Sequence, residues 1–96
     1  MKELQSHFVA QVDFAATYSI MIDGFKNPLY IAVNRDKLEV QYGNKGEVDV
    51  YAKLSIEVMQ SIIDGRMTFQ RAFMTGEMTA KGNFKTLRML DQIFLF

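Results

Sequence analysis

Four segments between residues 17 and 54 alternate apolar and polar side chains, which is the pattern of a β-strand with one buried face. The clearest is KLEVQY, where Leu38, Val40 and Tyr42 share one face opposite charged and amide side chains. The others are TYSIMID, PLYIAVN and EVDVYAKLS, and the turn sequences DGFKNP, NRDK and GNKG separate them. The pattern predicts half-buried antiparallel strands.

After Ser55 the spacing of apolar residues becomes helical. Ser55 can cap a helix over IEVMQSIID, whose polar residues recur on one side, and Gly65 supplies the left-handed stop. A shorter helix is expected from a Thr68 cap to Gly76. A fifth strand then alternates over residues 77–81.

The two ends of the chain are both predicted to be helical. Gly82 and Asn83 end the fifth strand and cap a last helix, whose apolar stripe consists of Phe84, Leu87, Leu90 and Phe94. From residue 2 to about residue 14 a helical spacing links Leu4, Phe8, Val9, Val12 and Ala15, although FVAQVDF also alternates like a strand. Strands grouped first and helices later indicate an α+β domain, with one layer of helices over one sheet.

The composition narrows the classes of partner. The 96 residues are enough for one domain, 1–96, with one core. Eleven cationic and eleven acidic side chains balance, so we expect no nucleic-acid partner and no attraction to an anionic membrane. No window approaches the roughly 18 apolar residues of a membrane span, so we expect no stable membrane insertion and a cytoplasmic location. Cysteine is absent, which excludes disulfides and thiolate metal sites.

Catalytic constellations are missing from the sequence. His7 is the only imidazole and lies on an amphipathic segment, where a structural or incidental role is the simpler interpretation. Turns and helix ends account for the carboxylates of Asp23, Asp36, Glu47 and Asp64. We therefore expect no enzyme activity, no metal and no cofactor.

Apolar side chains are concentrated near the C-terminus, since five of eight Phe and four of seven Met follow Asp64. An ordinary core is the simpler explanation. Methionine is also unbranched and adaptable, so a cavity that it lines can repack around guests of different shape. The composition is compatible with a core or with a pocket.

The segment LSIEVMQSIIDGRMTFQRAFMTGEMTAKGNFKTLRMLDQIF resembles the C-terminal half of the sterol carrier protein 2 (SCP2) family. The matching positions are Gly65, Ala72, Phe73, Met74, Gly76, Lys81, Gly82 and the stripe from Leu87 to Leu90. The resemblance implies a five-stranded mixed sheet covered on one face by helices. It also implies a hydrophobic tunnel for fatty acids, acyl-CoA, sterols, phospholipids or prenyl quinone precursors. In this family the N-terminal helical part is usually longer than here.

On that resemblance, the expected function is non-catalytic binding and presentation or transfer of a long-chain apolar ligand. The expected lipid-binding residues are Met59, Ile63, Phe73, Met74, Met78, Ala80, Leu87 and Leu90. The cations that could read a polar headgroup are Arg66, Arg71, Lys85 and Arg88. The alternative is a structural or interaction subunit with a filled tunnel, which forms a homodimer or docks on a partner enzyme through its C-terminal IFLF.

Overall fold

A five-stranded mixed sheet forms the centre of the computed structural model, which describes residues 2–11 and 13–96. The strands are β1 (Ala15–Ile22), β2 (Leu29–Asn34), β3 (Lys37–Tyr42), β4 (Val50–Leu54) and β5 (Met78–Gly82). The helices are α1 (Lys2–Ser6), α2 (Ile56–Ile63), α3 (Phe69–Met74), α4 (Phe84–Arg88) and α5 (Leu90–Ile93). The strand order is β3-β2-β1-β4-β5; β1 and β4 are parallel, and the other pairs are antiparallel. The α+β prediction is confirmed.

One face of the sheet carries the core because alternate side chains of each strand point to the same side. In β1 this face is formed by Tyr18, Ile20 and Ile22, which are all buried. The helices cover it with residues such as Met59 and Leu90. Among the described residues no charged side chain is buried. The opposite face carries mostly polar side chains, such as Ser19 and Lys53, and is partly or fully exposed.

Asp49 explains why β4 is shorter than the alternation from Val48 to Leu54 predicts. Its carboxylate accepts a hydrogen bond from the Thr17 backbone N–H at 2.9 Å, and its own N–H donates to the Thr17 carbonyl at 3.0 Å. The side chain of Asp49 thus takes the place of a regular strand pairing. The regular pairing of β1 with β4 begins one residue later, at Tyr18 and Val50.

The prediction of a helix from residue 2 to about residue 14 is wrong beyond Ser6. Phe8 instead forms an antiparallel bridge with Phe94, and the Val9 N–H donates to the Ile93 carbonyl at 2.7 Å. This pairing with the far end of the chain satisfies backbone groups that a longer helix would have satisfied locally. Val12, which belonged to the predicted helix, lies outside the described residues.

The single last helix is also corrected, since it consists of α4 and α5 with a break at Met89. At the break the carbonyl of Thr86 accepts hydrogen bonds from the Tyr18 hydroxyl at 2.7 Å and from the Met89 N–H at 3.1 Å. Phe94 lies past the end of α5 in extended conformation. The predicted stripe is therefore split: Phe84 is exposed, whereas Phe94 is buried against the N-terminal segment.

Gly82 joins β5 to α4 at a position that only glycine fits. Its φ is +121°, and a Cβ there would overlap the backbone carbonyl of Asp49. The Asn83 N–H donates to the same carbonyl at 3.1 Å. The close approach of β4 and the start of α4 fixes where α4 leaves the sheet.

Candidate functional site

A cleft of about 270 Å³ lies between α3 and α4. The buried Leu87 and the half-buried Phe73 form its floor. Four exposed residues form its rim: Gln70, Met74, Phe84 and Arg88. We call these two sets the cleft floor and the cleft rim. An apolar floor with few polar groups at its edge is typical of sites for apolar small molecules.

The first turn of α3 is held by two side chains. Thr68 caps the helix and accepts a hydrogen bond from the Arg71 N–H at 3.0 Å. Asp91 of α5 accepts from the N–H groups of Phe69 at 2.7 Å and Gln70 at 2.9 Å. Three of the four N–H groups that a helix start leaves without a partner are thereby satisfied. The carboxylate of Asp91 also favours the positive end of the helix, so α3 and α5 are fixed relative to each other.

The first turn of α4 is held by Asn83, whose side-chain oxygen accepts from the N–H groups of Lys85 at 3.0 Å and Thr86 at 3.1 Å. The end of α4 is held by the hydrogen bond from the Tyr18 hydroxyl to Thr86. Burial raises the pKa of the Tyr18 phenol well above its usual value, and the nearby carboxylate of Asp49 raises this pKa further. Tyr18 therefore keeps its proton and its hydrogen bond across the neutral range.

Two aromatic rings meet across the cleft. Phe73 of α3 and Phe84 of α4 have ring centroids 5.5 Å apart and a tilt of 38°, which is a favourable aromatic geometry. The side-chain amide of Gln70 contacts the sulfur of Met74 at 3.9 Å on the same rim. Side-chain contacts thus link the two walls of the cleft and two residues of its rim.

The eight predicted lipid-binding residues lie at different depths. Phe73, Met74 and Leu87 come together in the cleft. Met59, Met78 and Leu90 are buried in the core between the sheet and the helices. Ile63 and Ala80 are partly buried and pack against that core. The eight residues do not form one lining in this structure, and their role in binding stays a prediction.

The four cations predicted to contact a lipid headgroup also lie at different places in the structure. Arg88 lines the cleft, whereas Arg71 and Lys85 lie on α3 and α4 one residue after Gln70 and Phe84. Arg66 instead forms an ion pair with Asp64, with 2.9 Å between Nη2 and Oδ2. Of the four cations, Arg88 is the one that lines this cleft.

Three cleft residues were not among the predicted lipid-binding residues: Gln70, Phe84 and Arg88. A helical signal for Gln70 was available, since it precedes Phe73 by three residues and Met74 by four and so shares their side of α3. On α4, Phe84 precedes Leu87 by three residues and Arg88 by four, so a similar signal was available there. The sequence did not indicate that these two sides face each other.

Larger depressions lie on the opposite, solvent-exposed face of the sheet. One of about 760 Å³ crosses β1, β2 and β3 and is bordered by the charged groups of Lys37, Glu39 and Asp49. Another of about 320 Å³ crosses β1, β4 and β5 beside Lys53 and Lys81. Charged borders make these grooves poor sites for a hydrocarbon chain, because burial of a charge without a partner is costly. The smaller cleft has the more suitable chemistry.

The described residues contain no group of three or more His, Asp or Glu side chains that could hold a metal ion. His7 is exposed, and its Nδ1 lies 3.0 Å from the Leu95 carbonyl, where it helps to tie the two ends of the chain together. In the C-terminal IFLF segment, Ile93 and Phe94 are buried, whereas Leu95 is 58% exposed. An interface role for this segment stays a prediction that depends mainly on Leu95 and Phe96.

Within the described part of the chain, no helix is long and apolar enough to cross a bilayer.

The chain is similar to a known protein family and to individual known proteins. The sequence profile of the SCP-2 sterol transfer family matches residues 10–95. A fatty acid-binding protein of Yarrowia lipolytica (strain CLIB 122 / E 150) is 40% identical over 58 residues, which amount to 57% of this chain and 45% of that protein. This match therefore spans less than half the length of the relative.

Two solved structures illustrate the fold. Palmitated SCP2L2 from Aedes aegypti, determined by NMR in solution, has a TM-score of 0.67 at 18% identity, with 86% of this chain and 75% of that chain covered. A stereoselective inverting sec-alkylsulfatase from Pseudomonas sp. has a TM-score of 0.71 at 16% identity, with 97% of this chain but 14% of that enzyme covered. Identities this low show a shared fold and nothing further.

Proposed function

The chain belongs to the SCP-2 sterol transfer family, and from this premise we propose that it binds a long-chain apolar ligand in the cleft between α3 and α4. The protein carries or presents this ligand and does no chemistry on it. The observation that carries the proposal is the apolar cleft floor of Phe73 and Leu87, which lies between two short helices.

The ligand class is an acyl chain or a lipid of similar length. A curated relative is named a fatty acid-binding protein, and a structural relative is described as palmitated. Sterols and prenyl chains remain within the same class, because an apolar cleft distinguishes poorly between hydrocarbons. One methylene changes the binding free energy by only about 0.8 kcal/mol.

The cleft must widen to hold such a ligand. Its volume of about 270 Å³ is slightly below the roughly 300–1,000 Å³ of typical small-molecule sites. α3 has six residues and α4 has five, and across the cleft Phe73 meets Phe84 through side chains. Separation of these rings would give a ligand access toward Met78 and Leu90 without breaking the sheet.

The expected affinity is modest. Burial of about sixteen carbons contributes on the order of 12 kcal/mol, and association with chain ordering opposes it by an estimated 4–15 kcal/mol. Dissociation constants in the micromolar range or weaker follow. A carrier that releases its cargo needs affinities of this order.

The test is titration of the purified, delipidated protein with a fluorescent fatty acid, with Ala80→Phe as the blocking variant. Ala80 is partly buried and packs against the core between the sheet and the helices, so we expect a phenyl group there to take up the space into which a ligand chain would extend. Ala32→Phe is the matched control, since Ala32 lies on the opposite face of the sheet and borders the groove there. Thermal unfolding of each variant reports whether the fold is retained.

We expect saturable binding by the wild type and by Ala32→Phe, and at least a tenfold loss of affinity for Ala80→Phe, from the ligand methylenes that it excludes. If Ala80→Phe does not fold, Leu87→Gln on the cleft floor replaces it. Failure of the wild type to bind any acyl, sterol or prenyl probe would contradict the proposal. Equal affinities for all variants would show that the ligand binds outside the cleft.

A further inference from the structure

The cleft rim exposes two large apolar side chains side by side. Met74 is 74% exposed and Phe84 is 53% exposed. Single apolar residues on a surface are ordinary. These two stand on the two helices that form the cleft and line it together with its apolar floor. Apolar side chains grouped on a surface usually mark an interaction site.

The charges around this surface are not balanced, although the whole chain has a net charge of zero. Residues 66–88 contain five cationic side chains and one carboxylate, so this stretch carries +4 and the rest of the chain carries −4. Arg71, Lys85 and Arg88 belong to the two helices that form the cleft.

These three cations are free to meet an anion. The ion pairs in the part of the chain that the structure describes use Arg35, Lys53 and Arg66, and none uses Arg71, Lys85 or Arg88. Of the nearby carboxylates, Asp91 is occupied by the backbone of α3. Glu77 lies in the turn after α3 and is the remaining acidic group in the basic stretch.

We propose that the cleft rim docks reversibly on an anionic lipid bilayer. Met74 and Phe84 enter the interfacial region, and Arg71, Lys85 and Arg88 reach the lipid phosphates. Apolar side chains flanked by cations are the combination that binds peripheral proteins to anionic bilayers. This proposal rests on the proposed function and adds a source for its ligand. Docking would place the mouth of the cleft against a membrane that contains lipid.

Docking also provides a way to open the cleft. In water, Phe84 covers part of its ring by contact with Phe73. At a bilayer, lipid chains can replace this contact, so the two rings can separate without exposing apolar surface to water. The cleft then opens toward the membrane, and a single lipid chain can pass between the helices.

The test measures flotation of the ligand-free protein with vesicles of phosphatidylcholine and phosphatidylglycerol in equal amounts, and with vesicles of phosphatidylcholine alone. The charge variant is Arg71→Gln with Lys85→Gln. Neither residue lines the cleft, so ligand affinity in solution is expected to stay unchanged. Its matched control is Lys26→Gln with Lys45→Gln, which removes the same charge from exposed loops at the turns after β1 and β3.

We expect binding to the mixed vesicles that falls as salt is added and that is much weaker for phosphatidylcholine alone. The affinity of the charge variant for the mixed vesicles should fall about twenty-five-fold, because each cation contributes about fivefold. The affinity of the loop control should fall much less. Met74→Ser with Phe84→Ser should also lose at least tenfold, while Leu95→Ser, which removes an exposed apolar group elsewhere, should not.

Equal losses in the charge variant and its loop control would overturn the proposal, because net charge alone would then explain binding. Absence of binding to the mixed vesicles would also overturn it, even if the fluorescent fatty acid binds in solution. Vesicle docking without uptake of any ligand would instead contradict the proposed function and leave docking in place. The two proposals can therefore fail separately.

Discussion

Tyr18 contributes to the cleft without lining it. Its side chain is fully buried, and its hydroxyl holds the carbonyl of Thr86 at the point where α4 ends. A buried phenol without a partner would be costly, so this hydrogen bond is both a satisfied polar group and a connection between the sheet and α4. It explains why a polar atom is tolerated on the core face of β1.

Replacement of Tyr18 by phenylalanine should destabilise the protein by about 1 kcal/mol at neutral pH, since Thr86 loses one donor while the ring remains. The wild type should also lose stability as the pH rises above about 10, the usual tyrosine pKa. The reason is that the raised pKa in the folded state favours the neutral phenol, so ionisation favours unfolding. Tyr18→Phe lacks this contribution.

Urea unfolding of both proteins as a function of pH tests this prediction. The stability difference between wild type and Tyr18→Phe should shrink as the pH rises above about 10. Tyr51→Phe, on the solvent-exposed face of the sheet, serves as the control for general effects of losing a hydroxyl. A difference that stays constant with pH would show that ionisation of Tyr18 does not affect folding.

The capping residues in the sequence predicted the starts of three helices correctly. Ser55, Thr68 and Asn83 were predicted as caps, and each accepts hydrogen bonds from the N–H groups of the turn that follows. Caps can be predicted because they act within three residues of their own position. The use of Asp91 as a second partner for α3 could not be predicted, because it is more than twenty residues away along the chain.

At the scale of elements, α3 depends on a group from another helix. Six residues are too few for a helix that is stable by itself. Asp91 supplies acceptors for its first two N–H groups, and Phe69 and Ala72 are buried against the core. These contacts therefore determine the stability of α3, which forms one wall of the cleft.

Asp91→Ala should lower the free energy of unfolding by about 1–3 kcal/mol, because two backbone N–H groups lose a charged acceptor. The loss of unfolding free energy in Asp91→Asn should lie between zero and the loss in Asp91→Ala, since one side-chain oxygen remains. Hydrogen exchange should show faster exchange at the amides of Phe69 and Gln70. Asp36→Ala, in the exposed turn between β2 and β3, is the control and should change stability by no more than about 0.5 kcal/mol.

Unchanged protection of these two amides in Asp91→Ala would mean that α3 does not need the carboxylate. A loss of stability as large in Asp36→Ala would mean that charge, and not the contact with α3, is responsible.

The elements that the sequence predicted poorly are those that depend on distant parts of the chain. The alternation of apolar residues located all five strands, because strand faces follow local periodicity. The N-terminal segment looked helical beyond Ser6, but the pairing of Phe8 with Phe94 replaced the helix. The last helix looked continuous, but the hydrogen bond from Tyr18 to Thr86 accompanies its break at Met89.

At the scale of the whole molecule, the sheet with helices on one face followed from the sequence, whereas the cleft followed only in part. Phe73, Met74 and Leu87 were predicted by family resemblance and do lie together. Met59, Met78 and Leu90 are packed in the core, since the helices rest closely on the sheet at that depth. The distance between α3 and α4 depends on three-dimensional contacts that the spacing of residues does not encode.

Binding in the cleft requires α3 and α4 to separate around an apolar chain. Methyl NMR of the protein labelled at the methionine methyl groups, during titration with palmitate, tests it most directly. Met74 lies on the cleft rim, and Met21 borders the groove on the opposite face of the sheet. The same spectrum therefore contains both the site and its control.

We predict that the Met74 methyl signal shifts with saturation as palmitate is added, that the signal of the buried Met78 shifts as the chain enters, and that the Met21 signal does not move. A spectrum in which no methyl signal shifts, or in which Met21 shifts and Met74 does not, would contradict the account.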